Sequence, residues 1–127
     1  MTSEDQSFVP QSILVVEDDD DTRDALCLLL VGQGYDVLHA RNGREAMQIL
    51  RRIRPALIIT DLSMPVMSGW QLLEAVRSKK LMKHVPIIVL SADERSPSPD
   101  VCFLRKPVGA EHLLAEISSR MHLCSVH

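Results

Sequence analysis

Aromatic residues, an excess of positive charge and long apolar runs are all scarce or missing in this sequence. Only one Trp, one Tyr and two Phe occur in 127 residues, so a folded core must be mainly aliphatic. No stretch of about 18 apolar residues is present, so we expect no membrane span. The formal net charge is −3. Because a phosphate backbone requires a concentrated basic face, we expect no nucleic-acid partner.

Disulfide bonds and thiolate metal sites are not indicated either. The three cysteines, Cys27, Cys102 and Cys124, are an odd number and form no CxxC pair. The polar, acidic residues 1–10 lack the basic segment and apolar run of a signal peptide. A length of 127 residues suits one globular domain. We therefore expect a single domain in the reducing environment of the cytoplasm.

Short apolar runs alternate with segments of helical periodicity along the chain. The longer runs do not alternate with polar residues, which is typical of strands buried on both faces of a parallel sheet, whereas Tyr35–Leu38 is a weaker run and Phe103–Leu104 a short stub. The five runs are Ile13–Val16, Tyr35–Leu38, Leu57–Thr60, Pro86–Leu90 and Phe103–Leu104. The segments with apolar residues at helical spacing are Asp20–Val31, Gly43–Ile53, Trp70–Arg77 and Glu111–Met121. This order predicts an α/β fold, a doubly wound five-stranded parallel sheet with helices on both faces.

The connection between the last two strands is short and rich in proline. A crossover with its helix takes at least about 10–12 residues, and the available segment, Ala92–Cys102, contains Pro97 and Pro99. Proline removes a backbone donor and clashes with the preceding turn. We therefore predict an irregular loop with at most one helical turn near Asp93–Arg95. The helix that would normally connect the fourth and fifth strands, the fourth helix of such a fold, is then reduced or absent.

The same shortening predicts that one patch of the sheet, beside the third helix, lies partly bare. Apolar side chains of Ile87–Leu90 and Val101–Leu104 would form its floor. Because a large exposed apolar patch usually marks a partner site, we expect this face to bind a second copy of the chain, giving a homodimer, or a downstream protein.

Three acidic residues stand where predicted strands end. Glu17 and Asp18 follow the first strand directly, and Asp61 follows the third. Ligands of open α/β sheets bind at the carboxyl ends of the strands, so neighbouring first and third strands would bring these carboxylates together. Close carboxylates repel each other. Mg²⁺ would relieve that repulsion, since it prefers oxygen ligands and keeps part of its shell for water or phosphate.

Two further polar residues follow the last two strands. Ser91 comes after the fourth apolar run and Lys106 after the fifth. A hydroxyl and an ammonium group beside a metal are suited to holding a phosphoryl group. With Asp61 as the carboxylate nucleophile, the set predicts in-line phosphoryl transfer to Asp, giving an acyl phosphate.

Four stretches together resemble the receiver domains of two-component response regulators. They are Ile13–Asp19 at the first strand, Asp61–Gly69 around the acceptor, Pro86–Ala92 at the switch hydroxyl, and Lys106-Pro107. The resemblance runs from Gln11 to Met121 and implies a flavodoxin-like receiver fold with strand order 2-1-3-4-5. It places the receiver domain at residues 11–123, between tails at 1–10 and 124–127.

The resemblance also implies roles for the acids and the hydroxyl. Asp61 matches the phosphorylated aspartate, Asp18 a direct Mg²⁺ ligand, and Glu17 a ligand that acts directly or through water. The backbone carbonyl of Ser63 would also face the metal, and Ser91 matches the hydroxyl that moves toward the phosphate.

Three residues at the last strand complete the resemblance. Lys106 matches the lysine that pairs with the phosphoryl group, and Pro107 the residue usually joined through a cis bond. Phe103 falls on the aromatic switch position, although it also suits a core aromatic that never moves. Family members receive phosphate from a sensor histidine kinase or a phosphotransfer protein and return it slowly to water. The resemblance therefore implies a phosphoacceptor switch rather than an enzyme.

One departure from the family keeps a second function open. Ser91 and Lys106 are 15 positions apart, several fewer than is usual, and the missing residues are those of the fourth helix, part of the family's output face. The alternative is a pseudo-receiver, a binding module of the same fold that signals without phosphate. A phosphatase of the haloacid-dehalogenase type would need an Asp as general acid two positions after the nucleophile. Ser63 stands there, which argues against that class.

Overall fold

Strands and helices alternate through the protein. The computed structural model describes residues 7–62, 67–80, 82–92 and 101–125. The strands are β1 (Ser7–Val16), β2 (Asp36–Ala40), β3 (Ile53–Asp61), β4 (Ile87–Ser91) and β5 (Cys102–Arg105). The helices are α1 (Asp20–Gly32), α2 (Gly43–Leu50), α3 (Gly69–Arg77) and α4 (Ala110–Ser125). Within the described ranges, no helix has the length and apolar character needed to cross a membrane.

The five strands form one parallel sheet in the order β2-β1-β3-β4-β5, which confirms the predicted fold class and strand order. In β1 and β3, which are neighbours, Val16 lies beside Thr60. In β3 and β4, Asp61 lies beside Leu90. The residues that follow these positions therefore leave the sheet at a single edge, and Glu17 is among them.

Helices cover both faces of the sheet. Successive strand residues point to opposite faces, so Leu14 and Ile58 join an apolar cluster with α2 and α3. Ile13 and Leu57 join a second cluster, with α1 and α4. All four are fully buried, and burial of such a side chain contributes about 1.5–3 kcal/mol. Because neither face is wet at Ile13–Val16 or Leu57–Ile59, these stretches contain no polar alternation, and their apolar runs are continuous.

β1 begins at Ser7, well ahead of the apolar run that predicted it. Its first residues pair with Ile53–Pro55 of β3, so the strand includes part of the segment that was expected to be a tail. A register shift separates the two paired stretches, and Gln11 within it has a φ of 64°. The hydroxyl of Ser12 donates to the carbonyl of Val9 across this bulge and holds its two sides together.

α2 is shorter than predicted. It ends at Leu50, because Ile53, expected to be its last apolar residue, begins β3 instead. Pro55 lies inside β3, at the register shift with β1. A bulge is one of the places in a sheet where a residue without an N–H is tolerated. The pairing of the extended β1 thus decides where α2 gives way to strand.

α1 buries an arginine and exposes leucines. Of the apolar residues in its predicted stripe, only Leu30 is buried. Leu26 and Leu29 are half-buried, because they line an open groove of about 610 Å³ between α1 and the start of α4. Leu28 is 74% exposed, whereas Arg23 is 8% exposed. Apolar periodicity alone therefore did not identify the buried face of this helix.

The connection between β4 and β5 includes residues 93–100, which lie outside the described residues, so the predicted loop and its helical turn stay a prediction. No helix between these strands occurs in the part of the chain that is described. The floor predicted to be partly bare is mostly covered, since Ile87, Val89 and Val101 are buried, each at 7% exposure or less, whereas Phe103 is half-buried. Met82, between α3 and β4, packs in the same cluster. Apolar exposure thus gives no argument for a partner here, and a homodimer through this face stays a prediction.

Candidate functional site

Three carboxylates converge at the carboxyl edge of the sheet. Glu17 and Asp18 follow β1, and Asp61 is the last residue of β3, the neighbour of β1. One ligand oxygen from each of the three lies within 4.8 Å of the other two. Glu17 is buried, whereas Asp18 is exposed. The acids that the sequence predicted to meet are therefore a cluster in space, with solvent access at Asp18.

Glu17 is held in an environment that disfavours its charge. Burial raises the pKa of its carboxyl above the usual value, and the nearby acids Asp61 and Asp18 raise it as well. Two contacts oppose this effect. The N–H of Asp19 donates to Glu17 Oε2 at 3.1 Å, and Lys106 Nζ lies 3.5 Å from Glu17 Oε1. The net pKa shift is upward, and its main cause is the burial of the carboxyl.

Asp61 is fixed by its own backbone and by the start of α3. Its Oδ1 accepts a hydrogen bond from the N–H of Leu62 at 3.0 Å and lies 3.4 Å from Lys106 Nζ. The N–H of Gly69 donates to the carbonyl of Leu62 at 3.0 Å. A Cβ at Gly69 would collide with the Asp61 carbonyl oxygen and lie 2.8 Å from Leu62 Cα. Only glycine lets α3 begin this close to Asp61.

Lys106 and Ser91 leave neighbouring strands at the same edge. The N–H of Lys106 donates to the carbonyl of Ser91 at 2.8 Å. Ser91 is 6% exposed and ends β4, next to the strand that carries Asp61. The Lys106–Pro107 peptide bond is cis, the form that the sequence predicted. The hydroxyl-bearing and ammonium-bearing residues thus flank the carboxylate cluster.

Phe103 and Ser63 are the two other predicted site residues. Phe103 is half-buried in β5, pairs with Val89 and packs against the cluster that α2 and α3 cover. It lies on the strand that leads to Lys106 rather than among the acids. Ser63, whose carbonyl was expected to face the metal, lies outside the described residues.

The sequence reasoning missed a buried arginine beneath the acids. Arg23 in α1 donates through Nη1 to the carbonyl of Glu17 at 3.0 Å and through Nη2 to the Asp20 carboxylate. One signal could have identified it, because Arg23 and Leu30 are seven positions apart and share one side of the helix. Both are buried.

The donor set suits a hard divalent cation. All three ligand groups are carboxylates, the type that Mg²⁺ binds, and the exposure of Asp18 leaves room for the waters that Mg²⁺ retains. The close approach of the three carboxylates points the same way, since an added cation would offset the repulsion among them. The residues present therefore fit a Mg²⁺ ion.

Known proteins of similar sequence and structure share this arrangement of elements. The model of the response regulator receiver domain matches residues 13–118. The polar-differentiation response regulator DivK of Brucella anthropi is 28% identical over 118 residues, which are 87% of this chain and 96% of that protein. The chemotaxis response regulator CheY4 of Vibrio cholerae superposes with a TM-score of 0.80 at 31% identity, covering 88% of this chain and 99% of that one.

A further solved structure of similar fold is a complex with Mg(2+)-BeF. The response regulator TrrA of Thermotoga maritima, in complex with Mg(2+)-BeF, has a TM-score of 0.77 and 29% identity, over 86% of this chain and 97% of its own. Sheet order, site geometry and the match over residues 13–118 agree. The chain therefore belongs to the response regulator receiver domain family of two-component phosphorelay signalling.

Proposed function

We propose that the protein is a phosphorylatable receiver in which Asp61 accepts a phosphoryl group in a Mg²⁺-dependent reaction that switches partner binding. One observation carries this proposal. The carboxylates of Glu17, Asp18 and Asp61 lie within 4.8 Å of one another, and Lys106 Nζ lies 3.4 Å from Asp61. A structural ion pair needs one acid for each base. Three acids around one ammonium group favour a site that takes up a second cation.

The Mg²⁺ ligands in this proposal are Asp18, Asp61 and Glu17, the last either directly or through water. The backbone carbonyl of Ser63 would be a further ligand. Bound there, Mg²⁺ supplies positive charge that offsets the negative charge of the carboxylate and of the phosphoryl oxygens.

The transfer step forms one bond and breaks another. An oxygen of the Asp61 carboxylate attacks the phosphorus of a phosphohistidine, and a P–O bond forms to give an acyl phosphate. The P–N bond breaks, and its electron pair stays on the imidazole nitrogen of the donor, which takes up a proton from water. The Lys106 ammonium and the Ser91 hydroxyl would each hold a phosphoryl oxygen. Slow attack by water on the acyl phosphate would reset the protein, which acts as a switch rather than an enzyme.

The partners follow from the same chemistry. The phosphodonor would be a sensor histidine kinase or a phosphotransfer protein, and the downstream partner a protein that distinguishes the two forms. Ser91 and Phe103 lie on the adjacent strands β4 and β5, so a movement of the hydroxyl toward the phosphate could alter the packing of the aromatic ring. The receiver would comprise residues 11–123.

Labelling with a small phosphodonor tests the proposal. Incubation with MgCl₂ and acetyl phosphate should add the mass of one phosphate, which peptide mapping should locate at Asp61. Replacement of MgCl₂ by EDTA, or the variant Asp61→Asn, should abolish the added mass. Asp36→Asn removes an exposed acid from the start of β2, away from the site edge, and should label like the wild type. Normal labelling of Asp61→Asn would contradict the assignment.

The same experiment addresses the pseudo-receiver. A wild-type protein that is folded but takes up no phosphate at any Mg²⁺ concentration would favour that alternative. The presence of all three acids with Lys106 and Ser91 at one edge is the reason we prefer the phosphorylatable form.

A further inference from the structure

Arg23 is a buried cation in the first turns of α1. It is 8% exposed. Its two terminal nitrogens reach both ends of the short loop that joins β1 to α1. Nη1 donates to the carbonyl oxygen of Glu17 at 3.0 Å, and Nη2 donates to the carboxylate of Asp20. Asp18, the proposed direct metal ligand, lies between these two anchor points.

The contact with Glu17 fixes more than one atom. The carbonyl of Glu17 and the N–H of Asp18 belong to the same peptide unit, which is planar. Holding the carbonyl oxygen therefore sets the orientation of the whole unit and the direction in which the chain enters Asp18. On its other side, the N–H of Glu17 donates to the carbonyl of Ala40 in β2 at 3.0 Å. Glu17 is thus held at both of its peptide groups.

Packing alone does not account for an arginine at this position. Burying a guanidinium group is costly, and Arg23 Nε has no hydrogen-bond partner among the described residues. An apolar side chain on this face of α1, like Leu30, would avoid that cost. What an apolar side chain could not supply is the pair of donors that joins Glu17 to Asp20.

We infer that Arg23 is a positioning residue for the metal site, which holds the Glu17–Asp18 peptide so that the two carboxylates face Asp61. The inference rests on the proposed function, because it concerns the affinity of the same three acids for Mg²⁺. Groups that orient metal ligands typically contribute 10–100-fold to affinity. We therefore expect loss of the two hydrogen bonds from Nη1 and Nη2 of Arg23 to weaken Mg²⁺ binding about tenfold.

The charge of Arg23 acts in the opposite direction, which makes the inference testable. A cation beside a metal site repels Mg²⁺, so removing its charge without any positioning effect would tighten Mg²⁺ binding. Arg23→Lys keeps the charge but replaces the planar guanidinium group, which has two terminal nitrogens, with a single ammonium nitrogen. That nitrogen cannot reach both the Glu17 carbonyl and the Asp20 carboxylate. Arg23→Met removes both the charge and the two hydrogen-bond donors. If Arg23 positions the loop, both variants bind Mg²⁺ more weakly than the wild type.

The experiment measures the thermal unfolding midpoint over a series of MgCl₂ concentrations at constant ionic strength. Because a ligand that binds only the native state stabilises it in proportion to the logarithm of its concentration over Kd, the series gives the Mg²⁺ affinity. The point without Mg²⁺ reports intrinsic stability separately. Arg41→Met, which removes an exposed arginine that contacts Glu45, is the control for charge and should leave the affinity unchanged.

Acetyl phosphate labelling supplies a second readout. In Arg23→Lys, the Mg²⁺ concentration that gives half-maximal labelling should rise about tenfold, while the rate at saturating Mg²⁺ stays that of the wild type. A merely structural role would lower stability without this shift.

Three results would overturn the inference. The first is an Arg23→Lys variant that binds Mg²⁺ as tightly as the wild type. The second is tighter Mg²⁺ binding by Arg23→Met, which would show that Arg23 affects the metal site only through its charge. The third is a wild-type protein whose unfolding midpoint does not respond to Mg²⁺, which would overturn the proposed function as well. The first two results leave the proposed function intact. If Arg23→Met does not fold, the Lys variant decides.

Discussion

The ammonium nitrogen of Lys106 lies 3.4 Å from Asp61 Oδ1, although the two residues are 45 positions apart in the chain. It lies almost as close to Glu17 Oε1, at 3.5 Å. One cation is therefore shared between two acids at the ends of β1 and β3. This arrangement places a fixed positive charge beside the atom that is proposed to receive phosphate.

Lys106→Met should slow the labelling of Asp61 by acetyl phosphate about 100-fold, since removing one fixed donor from developing charge typically costs that much or more. Loss of the ammonium group also removes positive charge from beside the acids, so Mg²⁺ binding should become tighter. Slow labelling at saturating Mg²⁺ would then reflect the phosphoryl contact and not the metal. Lys79→Met, an exposed lysine after α3, is the control. Wild-type labelling rates in Lys106→Met would contradict the assigned role.

Gly69→Ala should lower the free energy of unfolding by about 3 kcal/mol, the upper part of the range for overpacking. The new Cβ would collide with the backbone of Asp61 and Leu62, which cannot move away as a flexible side chain can. Urea denaturation measures the change. Gly32→Ala is the matched control, because a Cβ there meets nothing within 4 Å, and it should be neutral or stabilise α1 by up to about 1 kcal/mol. Equal effects at the two positions would rule out the close approach at Gly69.

Leu30→Ala and Leu28→Ala should differ strongly in stability. Leu30 is fully buried against the sheet, and its truncation should cost about 3 kcal/mol. Leu28 is 74% exposed, so its truncation should change the free energy of unfolding by no more than about 0.5 kcal/mol. Urea denaturation of both variants checks which face of α1 is buried. An equal loss of unfolding free energy at Leu28 and Leu30 would mean that α1 is rotated about its axis and buries a different face.

Glu45→Gln should destabilise the protein at neutral pH but not in acid. Arg41 lowers the pKa of the Glu45 carboxyl through hydrogen bonds from its side chain and its N–H. A carboxyl whose pKa is lowered on folding contributes stability above its unfolded value, close to the ordinary 4.5. That contribution is lost as the pH falls through the folded pKa.

Urea unfolding of Glu45→Gln and wild type across this pH range measures the difference. It should be largest above pH 4.5 and should vanish in strong acid. The variant Arg41→Gln provides the cross-check, since the pH-dependent effect of Glu45→Gln should largely disappear in its background. A difference that persists at low pH would show that Glu45 acts through packing rather than charge.

Much of the fold and of the acid cluster was predictable from local sequence. Continuous apolar runs at Ile13–Val16 and Leu57–Thr60 predicted strands that are buried on both faces, because such strands have no wet side. Parallel strands end at a shared edge, so acids directly after those runs had to lie near that edge. Only the adjacency of β1 and β3 was still needed to bring Glu17 and Asp61 together.

Other features were set by contacts between segments that are distant in sequence. The pairing of Ser7–Val9 with Ile53–Pro55 extended β1 and shortened α2, which no local pattern indicates. Val89 is buried in a cluster that includes Met82 from another connection, so the floor that was predicted to be partly bare is mostly covered.

The sequence by itself determined which residue types could perform the chemistry and at which strand ends they would stand, because periodicity and turn position are local properties. Only the tertiary structure decided that Lys106 Nζ reaches both acids, that α3 begins against Asp61, and that Arg23 is buried. These depend on the approach of separate elements to within a few ångströms. Side-chain packing fixes such distances, and spacing along the chain does not.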